Sequence, residues 1–208
     1  NNGITGDIDF ANQDGILNLA SGKKITGNVD STAGINGTLN FAGVPDVTGT
    51  IGTNVNPVSL VSFNGTGAFA IPVTKWFSQT FNVGNSGATI TANNAVIDVT
   101  YSAAGKFIAN GAVSNVDFNN KAGTFTLAAN QTIASIKSTG GVNGTVNLGG
   151  GDTVTGNISN IATLNLASGN TINIGGATTA SNISIPSNAT VVAAGLLTSS
   201  PNSVSFSG

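Results

Sequence analysis

The stretch Leu164-Asn165-Leu166-Ala167-Ser168-Gly169-Asn170-Thr171-Ile172 reads as a strand, a turn and the opening of a second strand. In an extended chain Leu164 and Leu166 fall on one face and Asn165 on the other. Ala167 to Asn170 then supply the small, turn-forming residues. The unit recurs: Ile183 to Val191 (ISIPSNATV) keeps the apolar, polar, apolar opening, the turn and the Thr-apolar close, and Thr124 to Ile133 (TFTLAANQTI) matches it earlier in the chain.

Outward from this unit, two periods are nested. Gly3 to Ile25 (GITGDIDFANQDGILNLASGKKI) aligns with Gly111 to Ile133 (GAVSNVDFNNKAGTFTLAANQTI) at an offset of 108, and Ser31 to Ile51 aligns with Ser138 to Ile158 at an offset of 107 with 12 of 21 positions identical. Residues 3–52 and 111–159 are therefore duplicates. Inside them Leu17 to Val29 aligns with Leu39 to Ile51 at a step of 22, and later steps are 21 (Phe125 to Val146), 18 (Val146 to Leu164), 19 (Leu164 to Ile183) and 21 (Ile183 to Val204). Units of this length, made of short strands between Gly/Asn/Ser turns, predict an all-β fold: a parallel β-helix, or β-solenoid, of about 9 to 10 coils of 18–22 residues, running as one segment over 1–208. Stacked coils lie about 4.8 Å apart, so each inward side chain rests on its counterpart in the next coil and like residues form ladders. Asn130, Asn170 and Asn188 recur at turn positions, where they read either as inter-coil hydrogen-bonding groups or as ordinary turn residues.

Composition agrees with strands and excludes several chemistries. Ile and Val outnumber Leu more than three to one, Met is absent, and the charged residues, 7% of the chain, are eight Asp and six Lys with no Arg or Glu. Strand formers abound, helix formers are scarce, and Asn, Thr, Ser and Gly must carry solvation. A net charge of −2 with no basic cluster larger than Lys23-Lys24 argues against nucleic acid as a partner. Without Cys or His the usual thiolate and imidazole metal sites and nucleophilic triads are excluded, and no cofactor is expected. No run approaches the roughly 20 apolar residues of a membrane helix. Lack of Cys suits a protein exported through an oxidising periplasm, and both ends read as cuts within a longer polypeptide.

Residues 53–110 depart from the pattern. They hold the only tryptophan, Trp76, following Ile71-Pro72 and flanked by Lys75 and Phe77. Proline is ill suited to a central ladder, so a protrusion or bulged coil is expected at 64–80. Lys75, Trp76 and Phe77 are the leading binding residues, because exposed aromatics anchor interfaces; a core role for the indole is the competing reading. Asp7 and Asp9 share a strand face and are the pair a glycosidase would need, although their duplicates are Asn115 and Asp117. Gly149-Gly150-Gly151-Asp152 matches a calcium-binding β-roll only weakly, and a Gly-rich coil corner explains it better. Sequons such as Asn64-Gly65-Thr66 follow from composition.

The LNLASGxxI units, with Ile35 to Gly43 (INGTLNFAG) and the VTGNI motif, resemble the passenger repeats of bacterial autotransporters, and most closely the rickettsial surface cell antigens of the outer membrane protein B kind. The likeness covers most of the chain outside 53–110. It implies a right-handed β-helix on the outer face of the bacterial outer membrane. It further implies export by a C-terminal translocator β-barrel, adhesion to a host-cell surface protein, entry into host cells, and methylation at surface lysines drawn from Lys23, Lys24, Lys75, Lys106, Lys121 and Lys137. The expectation is a non-enzymatic adhesin or surface-coat segment that does not itself insert into a membrane. A β-helical polysaccharide hydrolase or lyase using paired aspartates, and a structural spacer or self-associating coat element, stay open beside it.

Overall fold

The computed structural model describes residues 3–72, 75–94 and 96–199, together with the backbone of the strand 204–207. Among the described residues there are twenty-four strands and no helix, wound into a β-solenoid of about ten coils. Strands of successive coils pair in parallel, so each backbone bonds to the coil above and the coil below. Alternation sets what goes inside. In Thr124–Leu127, Phe125 and Leu127 are buried while Thr124 and Thr126 face outward, and Thr145–Leu148 repeats the arrangement one coil on.

The steps read from the sequence are the observed register. Leu17 pairs with Leu39, Phe125 with Val146, Val146 with Leu164, Leu164 with Ile183 and Ile183 with Val204. The columns, however, run differently from the duplication. Leu17, Leu39 and Val61 stack, and the same column continues through Phe81, Val99, Val116, Ile136, Ile158 and Thr178 to Leu197. Leu17 and its sequence duplicate Phe125 therefore do not share a column. Phe125 belongs to Phe69, Ile90, Phe107, Phe125, Val146, Leu164 and Ile183. From Leu17, five coil steps lead to Val116, and Phe125 lies one side further along the chain. The duplication thus spans five coils plus one side, and the same sequence block builds one face in the first half and the next face in the second.

Each block carries a corner that joins consecutive coils. Phe10 rests on Gly37, and Phe118 rests on Gly144; a Cβ on either glycine would fall within the ring above it, and both glycines have φ above +80°. Beside this contact Asp9 accepts hydrogen bonds from the Ala11 amide (2.7 Å), the Thr32 amide (3.1 Å) and the Thr32 hydroxyl (2.6 Å). Asp117 accepts the equivalent three from Asn119 (2.8 Å) and Thr139 (3.0 and 2.7 Å). The duplicated Asp-Phe, Ser-Thr and Asn-Gly-Thr motifs are in this way one physical unit spread over two coils.

Side-chain amide contacts between coils form mid-strand and also at turns, as from Asn110 to Asn93 Oδ1 (2.7 Å). By contrast, Asn130 and Asn188 meet the neighbouring coil through their backbone, the Asn130 N–H donating to the Gly150 carbonyl and the Asn188 carbonyl accepting from the Gly169 N–H. The Asn40 amide donates to Asn18 Oδ1 and the Asn165 amide to Asn147 Oδ1, both at 2.8 Å, and Asn82 donates to Ser62 and Ser102 on either side of it. Asn130 instead takes φ +62°, as a turn residue does.

The protrusion expected at 64–80 is absent from the described part of that range. Gly67–Ile71 pairs with Ala88–Ala92, Ser78–Val83 pairs with Val58–Phe63 and with Val96–Tyr101, and Trp76 bridges Ile51; Val73 and Thr74 lie outside the described residues. Pro72 follows the last residue of its strand, so no strand pairing calls on its missing N–H. The rings of Phe69, Trp76 and Phe81 lie in the interior, and Phe77 is half-buried.

Gly144 and Gly140 have the same φ of +84°, but a Cβ at Gly140 would meet nothing closer than Asn120 Cβ at 3.8 Å. Gly144→Ala is expected to lower stability by about 3 kcal/mol and Gly140→Ala by about 1 kcal/mol, the difference being the displaced Phe118 ring. Denaturant unfolding of the two variants measures it, and equal losses would remove the ring contact from the account.

Candidate functional site

Trp76 is 3% exposed and does not present its indole to a partner. It packs on Phe41 (ring centroids 5.5 Å apart, planes 17°) and Phe63 (6.4 Å, 14°), and Phe63 in turn meets Phe69 and Phe81. The core reading of this residue therefore holds. Lys75 beside it is exposed and Phe77 half-buried, so the three expected binding residues divide into a surface charge, a core ring and a rim ring.

A cleft of about 240 Å³ opens at this point, lined among others by Asn54, Pro57, Trp76, Phe77, Asn94 and Ile97. Two of its residues carry buried polar atoms with no hydrogen-bond partner among the described residues: Trp76 Nε1, a donor, and Asn94 Oδ1, an acceptor. Leaving such a group unpaired costs about 1–3 kcal/mol. Asn94 and Ile97 were not singled out in the sequence. One signal was present: Val96 and Ile97 are adjacent apolar residues in one strand, so alternation must turn one outward, and Ile97 is 45% exposed while Val96 is 5%.

The aspartates weighed for catalysis are occupied structurally. Asp7 Oδ1 accepts the Asn28 amide of the next coil (2.7 Å). Asp9 is tied to Thr32, whose hydroxyl, followed by the amides of Ala11 and Thr32, holds the Asp9 carboxyl below the usual range. Asp30 lies opposite Asp9 in the ladder, and burial, then the charges of Asp7 and Asp9, push it up. Asp117 follows Asp9: burial would raise it, but Thr139, Asn119 and the charge of Lys137 (3.6 Å) together bring it below the usual range. Asp152 is fully buried at the glycine corner, where it accepts the amides of Gln131 (2.9 Å) and Gly149 (2.7 Å). Its burial outweighs these bonds and moves its pKa to about 6. Among the described residues no three His, Cys, Asp or Glu side chains gather as a metal site would need.

Of the lysines, Lys23, Lys24, Lys75, Lys106 and Lys137 are exposed and Lys121 is half-buried, spread over the coils with no basic patch.

Trp76→Ala empties a stacked interior position and is expected to cost about 3–5 kcal/mol, against less than about 1.5 kcal/mol for Trp76→Phe; chemical denaturation distinguishes them. The carboxylates also predict opposite pH effects. Asp117 has a folded pKa below its unfolded value, so its contribution is present above about pH 4 and lost as pH falls below it. Asp152 has a folded pKa near 6, above its unfolded value, so its contribution is full below about pH 4 and is lost as pH rises to 6. The melting temperature should fall between those limits, and Asp152→Asn should remove part of that fall, Asp30 supplying the rest; an undiminished fall in the variant would refute the assignment.

Comparison of the chain with known protein families, with curated proteins and with solved structures returns no match, so the site rests on its own geometry.

Proposed function

We propose that this solenoid is a non-enzymatic adhesin or surface-coat segment, displayed on the outer face of a bacterial outer membrane, that attaches to a protein on the host-cell surface and promotes entry. The observation that carries this reading is the outer surface itself. Uncharged Asn, Ser and Thr ladders repeat along the rod at the coil spacing, as at Asn18-Asn40, Asn82-Ser102 and Thr126-Asn147-Asn165. Such a surface offers the same weak hydrogen-bonding contact many times over, and contacts in series gain strength through effective concentration. The carboxylates that a hydrolase or lyase would use support the same reading, because Asp7 and Asp9 are engaged in joining coils, to the Asn28 backbone N–H and to Thr32. Export by a C-terminal β-barrel, and methylation of the exposed lysines, which keeps their charge, belong to this proposal as consequences of the passenger-like repeats.

Beads coated with the purified chain and offered to cultured host cells are expected to bind saturably. Soluble chain should compete, and protease treatment of the cells should reduce binding at least several-fold. Binding no greater than that of beads carrying an inert protein would favour the spacer reading instead.

A further inference from the structure

Glycine leaves the nitrogen that follows an asparagine open to approach, because it has no Cβ and a wide choice of backbone angles. That nitrogen can attack the asparagine side chain, so each Asn-Gly pair is a place where the chain can modify itself. Besides Asn2-Gly3, which lies partly outside the described residues, there are four: Asn36-Gly37, Asn64-Gly65, Asn110-Gly111 and Asn143-Gly144. The reaction needs the peptide plane between the two residues to turn and the carboxamide to swing over it. At three pairs the solenoid holds both. The Ser59 N–H donates to the carbonyls of Asn36 and Gly37 (3.1 Å each), and the Ala162 N–H to those of Asn143 and Gly144 (3.3 and 3.2 Å). Those two glycines also lie buried under Phe10 and Phe118. The side chains are held as well, Asn36 donating to the Ala11 carbonyl (3.1 Å) and Asn143 to that of Asn120 (3.4 Å). At the third pair the Asn64 carbonyl accepts from Asn85 Nδ2 (3.1 Å), its Oδ1 accepts from the Ser62 hydroxyl (2.9 Å), and Gly65 is buried against Ala42.

Asn110-Gly111 is built differently. It lies in the bend between the strands Lys106–Ala109 and Val113–Asp117, with Asn110 exposed and Gly111 half-buried. The Asn110 N–H donates to the Ala92 carbonyl (2.8 Å), but among the described residues no hydrogen bond engages the Asn110 carbonyl or the Gly111 N–H, the two ends of the plane that must turn. The carboxamide has one bond, from Nδ2 to Oδ1 of the equally exposed Asn93 (2.7 Å), where water competes with it. We propose that Asn110-Gly111 is a site of spontaneous deamidation. The Gly111 nitrogen gives up its proton to water or hydroxide and attacks Asn110 Cγ; a C–N bond forms, and the side-chain nitrogen takes up a proton and leaves as ammonia. One water molecule then opens the cyclic imide. Cleavage at Cγ leaves aspartate, and cleavage at the main-chain carbonyl leaves isoaspartate, with the chain running through the former side chain. No oxidant or cofactor is involved. The aspartate form adds one negative charge facing Asn93, whose amide turned over donates to it, so a neutral contact between coils becomes a charge-assisted one. Nothing in this chemistry depends on the adhesin reading.

The full 208-residue chain would be kept folded in mildly alkaline buffer made with heavy-oxygen water and sampled over weeks for peptide mapping by mass spectrometry. Uptake of heavy oxygen is expected first at Asn110, with aspartate and isoaspartate both formed. It should run at least about fivefold faster there than at Asn36, Asn64 or Asn143, the advantage of having no hydrogen bond on the turning plane to break. In urea, where no fold holds the planes, the four rates should converge. A rate at Asn110 no higher than at the other three in the folded chain overturns the proposal. The same order preserved in urea overturns it as well, since the cause would then lie in the neighbouring residues and not in the solenoid. So does a rate that fails to rise with pH, because the attacking nitrogen must lose its proton.

Discussion

Everything in this molecule follows from backbone-to-backbone pairing between parallel coils, which places each residue about 4.8 Å from its counterparts above and below. At that spacing a side chain must tolerate its own kind. Apolar residues gain from it, and amides and hydroxyls hydrogen-bond along the axis, but like charges repel. The low charge of the chain is therefore a structural requirement of stacking. Where carboxylates enter a ladder, neutral or oppositely charged partners meet them: Asp98 is met by Asn115 at 2.8 Å, Asp117 by Lys137 and Asp46 by Lys24. Asp9 opposite Asp30 breaks this rule, and at Asp30 burial, then the charges of Asp7 and Asp9, raises the pKa.

Much of the fold was legible for the same reason. A ladder needs like residues at fixed steps, so the Leu-Asn-Leu unit around Leu164 announced both its strand and its partners, and each step found in the sequence is a pairing in the solenoid. The assignment of blocks to faces was not legible. Every side of a coil is a short alternating strand closed by a turn, so Leu17 and Phe125 look alike although they occupy different columns. Sequence similarity reports the local environment of a side; the stacking of whole coils also depends on how many residues each corner consumes.

The middle segment is deceptive in sequence for a related reason. Proline and aromatic residues usually mark departures from a regular ladder, but here Pro72 comes after a strand end and the rings of Phe41, Phe63 and Trp76 stack within the core. The two halves, rotated by one face, meet in this region, and large side chains fill an interior where the columns change character. The cleft residues Asn94 and Ile97 come from a different coil than Trp76, and no linear motif connects them. The burial of Asp152 was likewise hidden, because a glycine corner in sequence does not say which way its aspartate points.

The span of five coils plus one side makes the repeat behave as a screw operation. Each copy of the block advances along the rod and turns by one side of the coil, so the Asp9 and Asp117 corners face different directions. A flat surface laid along the rod cannot touch both copies, whereas a partner that encircles it, or several partners around it, can. Duplication in this architecture therefore spreads a surface feature around the axis instead of multiplying it along one line.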